Sequence, residues 1–229
     1  MKKILCALAL YLWLVPAWAA DLQWAGTAWS IRSGAGKPCA THYANPKGAW
    51  VDAQGWLHLK LVRGADGQFA CVELESRQRF GYGHYAFEVR GPIGAIDPNV
   101  VLGIFMYPTP DVGKDRTNEI DIEIARWGKP GAPQIYYTVW GREHPGARYV
   151  KFAVPENIDH SIFAFDWQPN AVTWQSPLQQ GSAAGFEGDI ADQPQKLHFN
   201  LWLFKQPNPA NGREVEFTIK SLEPLSWMR

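Results

Sequence analysis

The chain has 229 residues, 46% of them hydrophobic, with 22 basic and 22 acidic side chains and no charged or low-complexity block. That composition predicts one globular domain with a substantial core. The balanced charge excludes the electrostatic footprint that nucleic acid or an anionic membrane surface requires, so an uncharged partner is expected.

The first element in chain order is a leader. Lys2 and Lys3 precede an apolar run from Ile4 to Pro16, and small residues follow at Ala17, Ala19 and Ala20. These are the basic, apolar and small-residue regions of a secretory signal peptide, 1–20. An N-terminal membrane anchor is the alternative, but the run is short for a bilayer span. Cleavage after Ala19 or Ala20 takes away Cys6 and leaves residues 21–229 as a single domain with 20 basic against 22 acidic side chains. The expected location is secreted or periplasmic, with no membrane attachment after cleavage. Cys39 and Cys71 remain, an even pair that can form a disulfide in an oxidising compartment. Two buried free thiols are the plainer alternative. No His and Cys cluster has zinc-site spacing, and no metal site is expected.

From Trp50 onward, short alternating segments are broken by glycine, proline and asparagine, and no helical period lasts three turns. The predicted strands are Trp56–Arg63, Cys71–Gln78, Gly83–Val89, Asn99–Tyr107, Asn118–Ala125, Gln134–Trp140, His160–Asp166, Ala171–Trp174, Lys196–Leu203 and Glu214–Glu223. About ten strands in some 200 residues read as one all-β sandwich. Loop residues gather at Asn45–Gly48, Gly91–Pro98, Pro108–Thr117, Gly141–Arg148 and Gln206–Gly212.

Ten tryptophans follow the leader. Most belong in a β core, but Tyr107, Trp140 and Trp202 share strand faces with polar residues. A ring stacked on the apolar face of a pyranose is one way to hold an uncharged sugar. His160 reads as structural, because no serine or cysteine nucleophile context accompanies it.

Glu119, Asp121 and Glu123 occupy alternate positions of one strand and point to one side, while Ile120, Ile122 and Ile124 point to the other. If the core lies under the isoleucines, three carboxylates stand in a row, where their repulsion is unfavourable unless a site uses it. A solvated acidic strand is the bland alternative. Two chemistries fit the row. One is a cation site; the other is glycoside hydrolysis, which needs an ionised nucleophile and a protonated general acid. The central Asp121 suits the second, since it can hydrogen-bond one neighbour and raise the proton affinity of the other. Residues four apart on a strand are about 13 Å apart at Cα, whereas retention calls for carboxyls roughly 5–5.5 Å apart. Spacing therefore leaves the stereochemistry open.

At this motif the sequence resembles family 16 glycoside hydrolases, the laminarinase and lichenase group. Phe80-Gly81-Tyr82-Gly83-His84-Tyr85 with Phe87-Glu88-Val89 resembles the family's strand leading to the cleft. Ala164-Phe165-Asp166-Trp167-Gln168-Pro169 and Asn200-Leu201-Trp202 are similar to later strands in the same order. The uninterrupted E-I-D-I-E is similar to the lichenase and xyloglucan-transferase side of the family. The resemblance implies a β-jelly-roll sandwich of two antiparallel sheets with an open concave cleft, and retaining endo-hydrolysis of a neutral polysaccharide, a β-1,3- or β-1,3-1,4-glucan. It makes Glu119 the nucleophile, Asp121 the assisting carboxylate and Glu123 the general acid/base. It places Glu73, Phe105, Tyr107, Trp140, Asn200 and Trp202 in the cleft, and Cys39 with Cys71 as a disulfide.

The sequence departs from lichenases at Thr117, where they carry a sugar-contacting tryptophan, and at Glu75, where they carry an arginine. Either Tyr136 or Tyr137 can face the cleft. No cofactor is required, and the aspartate of the family's structural calcium is not clearly present near Glu216–Lys220. A monomer is expected. Transglycosylation by the same residues and a non-catalytic glycan-binding sandwich are the alternatives.

Overall fold

The structure, a computed structural model, describes residues 21–43, 47–144, 146–181 and 183–223. The leader expected over 1–20 lies outside them. In chain order the strands are β1 (Asp21–Trp24), β2 (Thr27–Ile31), β3 (Gly34–Ala35), β4 (His42–Tyr43), β5 (Ala49–Val51), β6 (Leu57–Lys60), β7 (Val62–Arg63), β8 (Phe69–Phe80) and β9 (Gly83–Arg90). They continue as β10 (Val100–Tyr107), β11 (Glu119–Ala125), β12 (Ile135–Trp140), β13 (Ala147–Phe152), β14 (His160–Gln168), β15 (Ala171–Gln175), β16 (Ala184–Glu187), β17 (Gln195–Leu203) and β18 (Glu216–Ser221). Among the described residues there is no helix, and hence none long and apolar enough to cross a membrane.

The strands form two sheets, as the all-β sandwich expectation requires. The larger runs β1-β2-β8-β17-β10-β11-β12-β13, with β3, β4 and β7 attached at its β8 side, and the smaller runs β16-β15-β14-β9-β18-β6-β5. All pairings are antiparallel except β4 with β8. The alternating pattern explains the layering, since each strand has one apolar face to bury. Ile120, Ile122 and Ile124 of β11, Ile104 and Met106 of β10, and Leu197, Phe199 and Leu201 of β17 are all buried between the sheets. Aromatic pairs cross the interface: Phe199 of β17 meets Phe87 of β9 edge-on at 5.3 Å, and Tyr137 of β12 stacks on Trp174 of β15 at 5.6 Å. Trp24 and Trp29 extend the cluster around Phe199.

Several expectations need correction. The predicted strand Trp56–Arg63 is two pieces. β6 pairs with β18 in the smaller sheet, while β7 pairs with β8 in the larger, and Leu61 between them donates its N–H to Val215. The segment from Phe80 to Val89 divides between the sheets: Phe80 ends β8 in the larger one, whereas β9 lies at the centre of the smaller one, between β14 and β18. The predicted loop Gly141–Arg148 ends early, since β13 begins at Ala147 and pairs with β12. β1 and β2 precede the region where alternation is legible, and β2 is buried at four of five positions, so it carries no alternating pattern. Cys39 and Cys71 form a disulfide with Cα atoms 6.2 Å apart, tying the segment before β4 to β8.

Candidate active site

β11 lies inside the larger sheet, between β10 and β12, with unbroken register on both sides. Its outer face carries Glu119, Asp121 and Glu123. Their neighbours on β12 are Trp140, Thr138 and Tyr136 in that order, and on β10 Asp121 stands opposite Phe105 and Glu123 opposite Gly103. The next strand, β17, places His198 beside Phe105 and Asn200 beside Gly103. The outer face is thus a polar and aromatic floor, while the opposite face of the same strands is the apolar core.

The bland reading of a solvated acidic strand fails on burial. Asp121 is 3% exposed, and Glu119 and Glu123 are half-buried. Burying a carboxylate disfavours its charged form. Burial accordingly pushes Glu119 up to about 8, with the charges of Glu123 and Asp115 adding to it and a hydrogen bond from Asp121 opposing it. Burial likewise pushes Glu123 up to about 7, opposed by the Thr138 hydroxyl, which donates to its Oε2 at 3.2 Å. Asp121 is raised well above the ordinary aspartate range, by burial first and then by the charges of Glu119 and Glu123, with the neighbouring Trp140 indole opposing. The three groups stand close enough to titrate as a unit, each displaced toward its protonated form. A protonated Asp121 donating to Glu119 favours the ionised form of that neighbour.

The strand is bracketed by left-handed backbone. Asn118 has φ 54° and Trp127 has φ 51°. Asparagine tolerates that region, and Asn118 is fixed there by its own N–H to Gly141 and by Gln195, which donates to its carbonyl. A tryptophan with positive φ is a true outlier and marks a constrained position. The turn sets the Trp127 ring against Tyr136, Trp202 and Phe204 at 5.2–6.0 Å.

The expected binding residues fall as follows. Phe105, Tyr107, Asn200, Trp202 and Trp140 share the outer face with the carboxylates. Tyr107 donates to Asp115 at 2.8 Å, and Phe105 stacks on His198 at 5.0 Å. Asn200 is buried with no partner for Oδ1, an acceptor free for a ligand donor. Glu73 is on the same face but fully occupied: Oε2 takes Arg32 at 3.0 Å and Oε1 meets His198 Nδ1 at 3.3 Å. Its carboxyl is held below the usual range by His198 and Arg32 despite opposing burial. Glu75, at the position where lichenases carry an arginine, is held by Lys196. The Tyr136 or Tyr137 question is resolved by register: Tyr136 pairs with Glu123 on the outer face, and Tyr137 is in the core. Thr117 bonds within its own turn to Lys114. His160 pairs with Glu88 on the smaller sheet, away from this face.

Sequence reasoning missed Trp127, Thr138, His198 and Arg32. Strand alternation from Trp140 would have found Thr138, and alternation from Asn200 would have found His198. Nothing in the sequence points to Trp127 or Arg32, which reach the site through a left-handed turn and a neighbouring strand. Among the described residues no three His, Cys, Asp or Glu side chains form a metal-ligand set.

No family model matches the chain. It is 31% identical over 182 residues to a β-glucanase of Bacillus amyloliquefaciens, covering 76% of this chain and 70% of that protein. It is 30% identical over 179 residues to one of Bacillus licheniformis, covering 76% and 68%. The solved Bacillus licheniformis β-glucanase superposes with a TM-score of 0.65 at 21% identity, over 85% of this chain and 92% of that one. A jelly-roll sandwich with a buried carboxylate row on its outer sheet face, so related, is a glycoside hydrolase. The chain belongs to family 16, together with the bacterial β-glucanases.

Proposed function

We propose that this chain is a retaining endo-hydrolase of a β-1,3- or mixed-linkage β-1,3-1,4-glucan, exported to the periplasm or the medium and acting as a single-domain monomer without a cofactor. Glu119 is the nucleophile, Glu123 the general acid/base and Asp121 the assisting carboxylate. The observation that carries the reading is the buried row itself: Glu119, Asp121 and Glu123 share the outer face of β11, flanked by Trp140, Thr138 and Tyr136 of β12, and the Thr138 hydroxyl donates to Glu123. The β-glucanase relatives support the substrate class.

In the first step the ionised Glu119 carboxylate attacks the anomeric carbon. The bond to the leaving oxygen breaks, and Glu123 gives that oxygen its proton. Asp121, protonated, keeps its hydrogen bond to Glu119 and so favours the carboxylate over the acid. In the second step Glu123, now ionised, takes a proton from water as the water attacks the glycosyl-enzyme and releases Glu119. Phe105, Tyr107 and Trp202 offer ring faces and Asn200 a buried acceptor for sugar hydroxyls. The test is cleavage of laminarin and lichenan by the purified protein, with product anomers followed by NMR. New reducing ends with the β configuration first are expected. Inverted first products, or saturable binding without new ends, would refute the reading.

A further inference from the structure

On the β12 and β13 side of Glu123 the outer face holds a cavity of about 410 Å³. Its walls are aromatic, with Trp127, Tyr136, Trp140 and Tyr149 among them. Besides Glu123 its charged lining is entirely cationic: Arg126, Lys129 and Lys151. Arg126 is engaged in holding loops together, for it is buried and its Nη2 donates to the Gly94 carbonyl at 2.8 Å and meets Glu156 at 3.4 Å. The two lysines are different. Neither side chain has a carboxylate partner among the described residues. Lys151 instead lies over rings, 5.6 Å from the Tyr149 centroid and 6.0 Å from that of Tyr136.

β13 is the last strand of its sheet, and an edge strand often carries lysine to block pairing with another chain. That role does not account for both groups, because Lys129 stands in the turn between β11 and β12. Nor does it account for where Lys151 points. Val150 and Phe152 pack against the core, so alternation sends Tyr149 and Lys151 to the cavity side. A neutral glucan ring needs a flat apolar surface and hydroxyl partners, which the tyrosines and Thr138 supply. It has no use for two unpaired ammonium groups. When Glu123 is in the protonated state that the first step requires, the cavity is left with positive charge and no counter-charge.

We infer that this cavity is a subsite for a sugar unit bearing an anionic substituent, its ring laid on Tyr136 and Tyr149 and its charge met by Lys129 and Lys151. The inference rests on the reading of β11 as the cleaving strand and narrows it: the polymer is a β-glucan that carries acidic groups on the units beyond the bond broken. An ammonium group is a compact charge that serves carboxylate and sulfate alike, so the substituent's identity is left to the measurement.

The experiment measures binding separately from turnover. Glu119→Gln protein is titrated calorimetrically with three linear β-glucan oligosaccharides: neutral, oxidised at O6 to the carboxylate, and sulfated at O6. At low ionic strength the charged ligands are expected to bind roughly tenfold more tightly than the neutral one, with the advantage shrinking as salt screens it. Adding Lys129→Gln and Lys151→Gln should erase the difference. A preference for the carboxylate alone or for both charged ligands supports the subsite and tells which group it takes. Equal affinity for neutral and charged ligands, no binding of any, or a preference that survives loss of both lysines would overturn it. Failure of the unaltered protein to cut neutral or acidic glucans would sink the β-glucanase reading and leave the binding result to be judged on its own.

Discussion

Replacing Glu119 with glutamine keeps the side-chain shape and removes a charge that the fold disfavours. In the unfolded chain this carboxyl titrates near its ordinary value, whereas burial pushes it up to about 8 in the folded protein. A group whose folded pKa is raised leaves stability at its maximum below the unfolded pKa and lowers it as pH rises through the folded one. The wild type should therefore lose stability from about pH 4.5 to about pH 8, and the variant should lose less. One unit of displacement is worth about 1.4 kcal/mol. Half-burial lets solvent screen much of that, and Asp121 and Glu123 share the titration, so about 1–3 kcal/mol of relief at pH 8 is the reasonable magnitude. For a domain of this size that is roughly 2–12 °C in Tm. Thermal melts of both proteins should nearly coincide at about pH 4 and separate progressively above it, with the variant the more stable. A Tm difference that does not grow with pH, or a variant less stable at pH 8, would refute the claim that the site stores electrostatic strain.

The same residues give kinetic expectations. Glu119→Gln should abolish turnover of polysaccharide, and Glu123→Gln should lose it on natural substrate yet retain it on glycosides with activated leaving groups; wild-type-like cleavage by Glu119→Gln would remove this strand from consideration. Activity should follow a bell in pH whose two limbs lie above the ordinary carboxylate range, because burial raises all three groups; an acid limb near the free glutamate value would contradict it. Trp140→Phe keeps a ring but loses the indole N–H that opposes the rise of Asp121, and a ten- to hundredfold loss of kcat, about 1.4–2.7 kcal/mol, is expected with the melt little changed. The Cys39–Cys71 bridge spans 32 residues, and its removal by Cys39→Ala with Cys71→Ala should cost about 3–4 kcal/mol in denaturant unfolding.

The alternation of Glu119 to Ile124 determined, without any structure, that three carboxyls share one face over an apolar one. The same period placed Phe105, Tyr107, Asn200 and Trp202 on strands, and the order of Phe80–Val89, Glu119–Glu123, Ala164–Pro169 and Asn200–Trp202 along the chain carried the family resemblance. These are local facts, because the strand period is set by backbone geometry alone. Which sheet a strand joins is not local. β9 reads as well as β10 by its pattern, yet it lies in the smaller sheet, and β6 and β7 are one apolar run that parts between sheets at Leu61. Tyr136 and Tyr137 are adjacent and chemically alike, so only the register against β11 decided that the first faces the site and the second stacks on Trp174. Whether the acidic row was solvated or buried depended on what flanks it: Trp140 and Thr138 from β12, Phe105 from β10 and the turn at Trp127. Burial is a property of neighbours brought together by the fold, and it is burial that raises the proton affinities of Glu119, Asp121 and Glu123 above the ordinary carboxylate range.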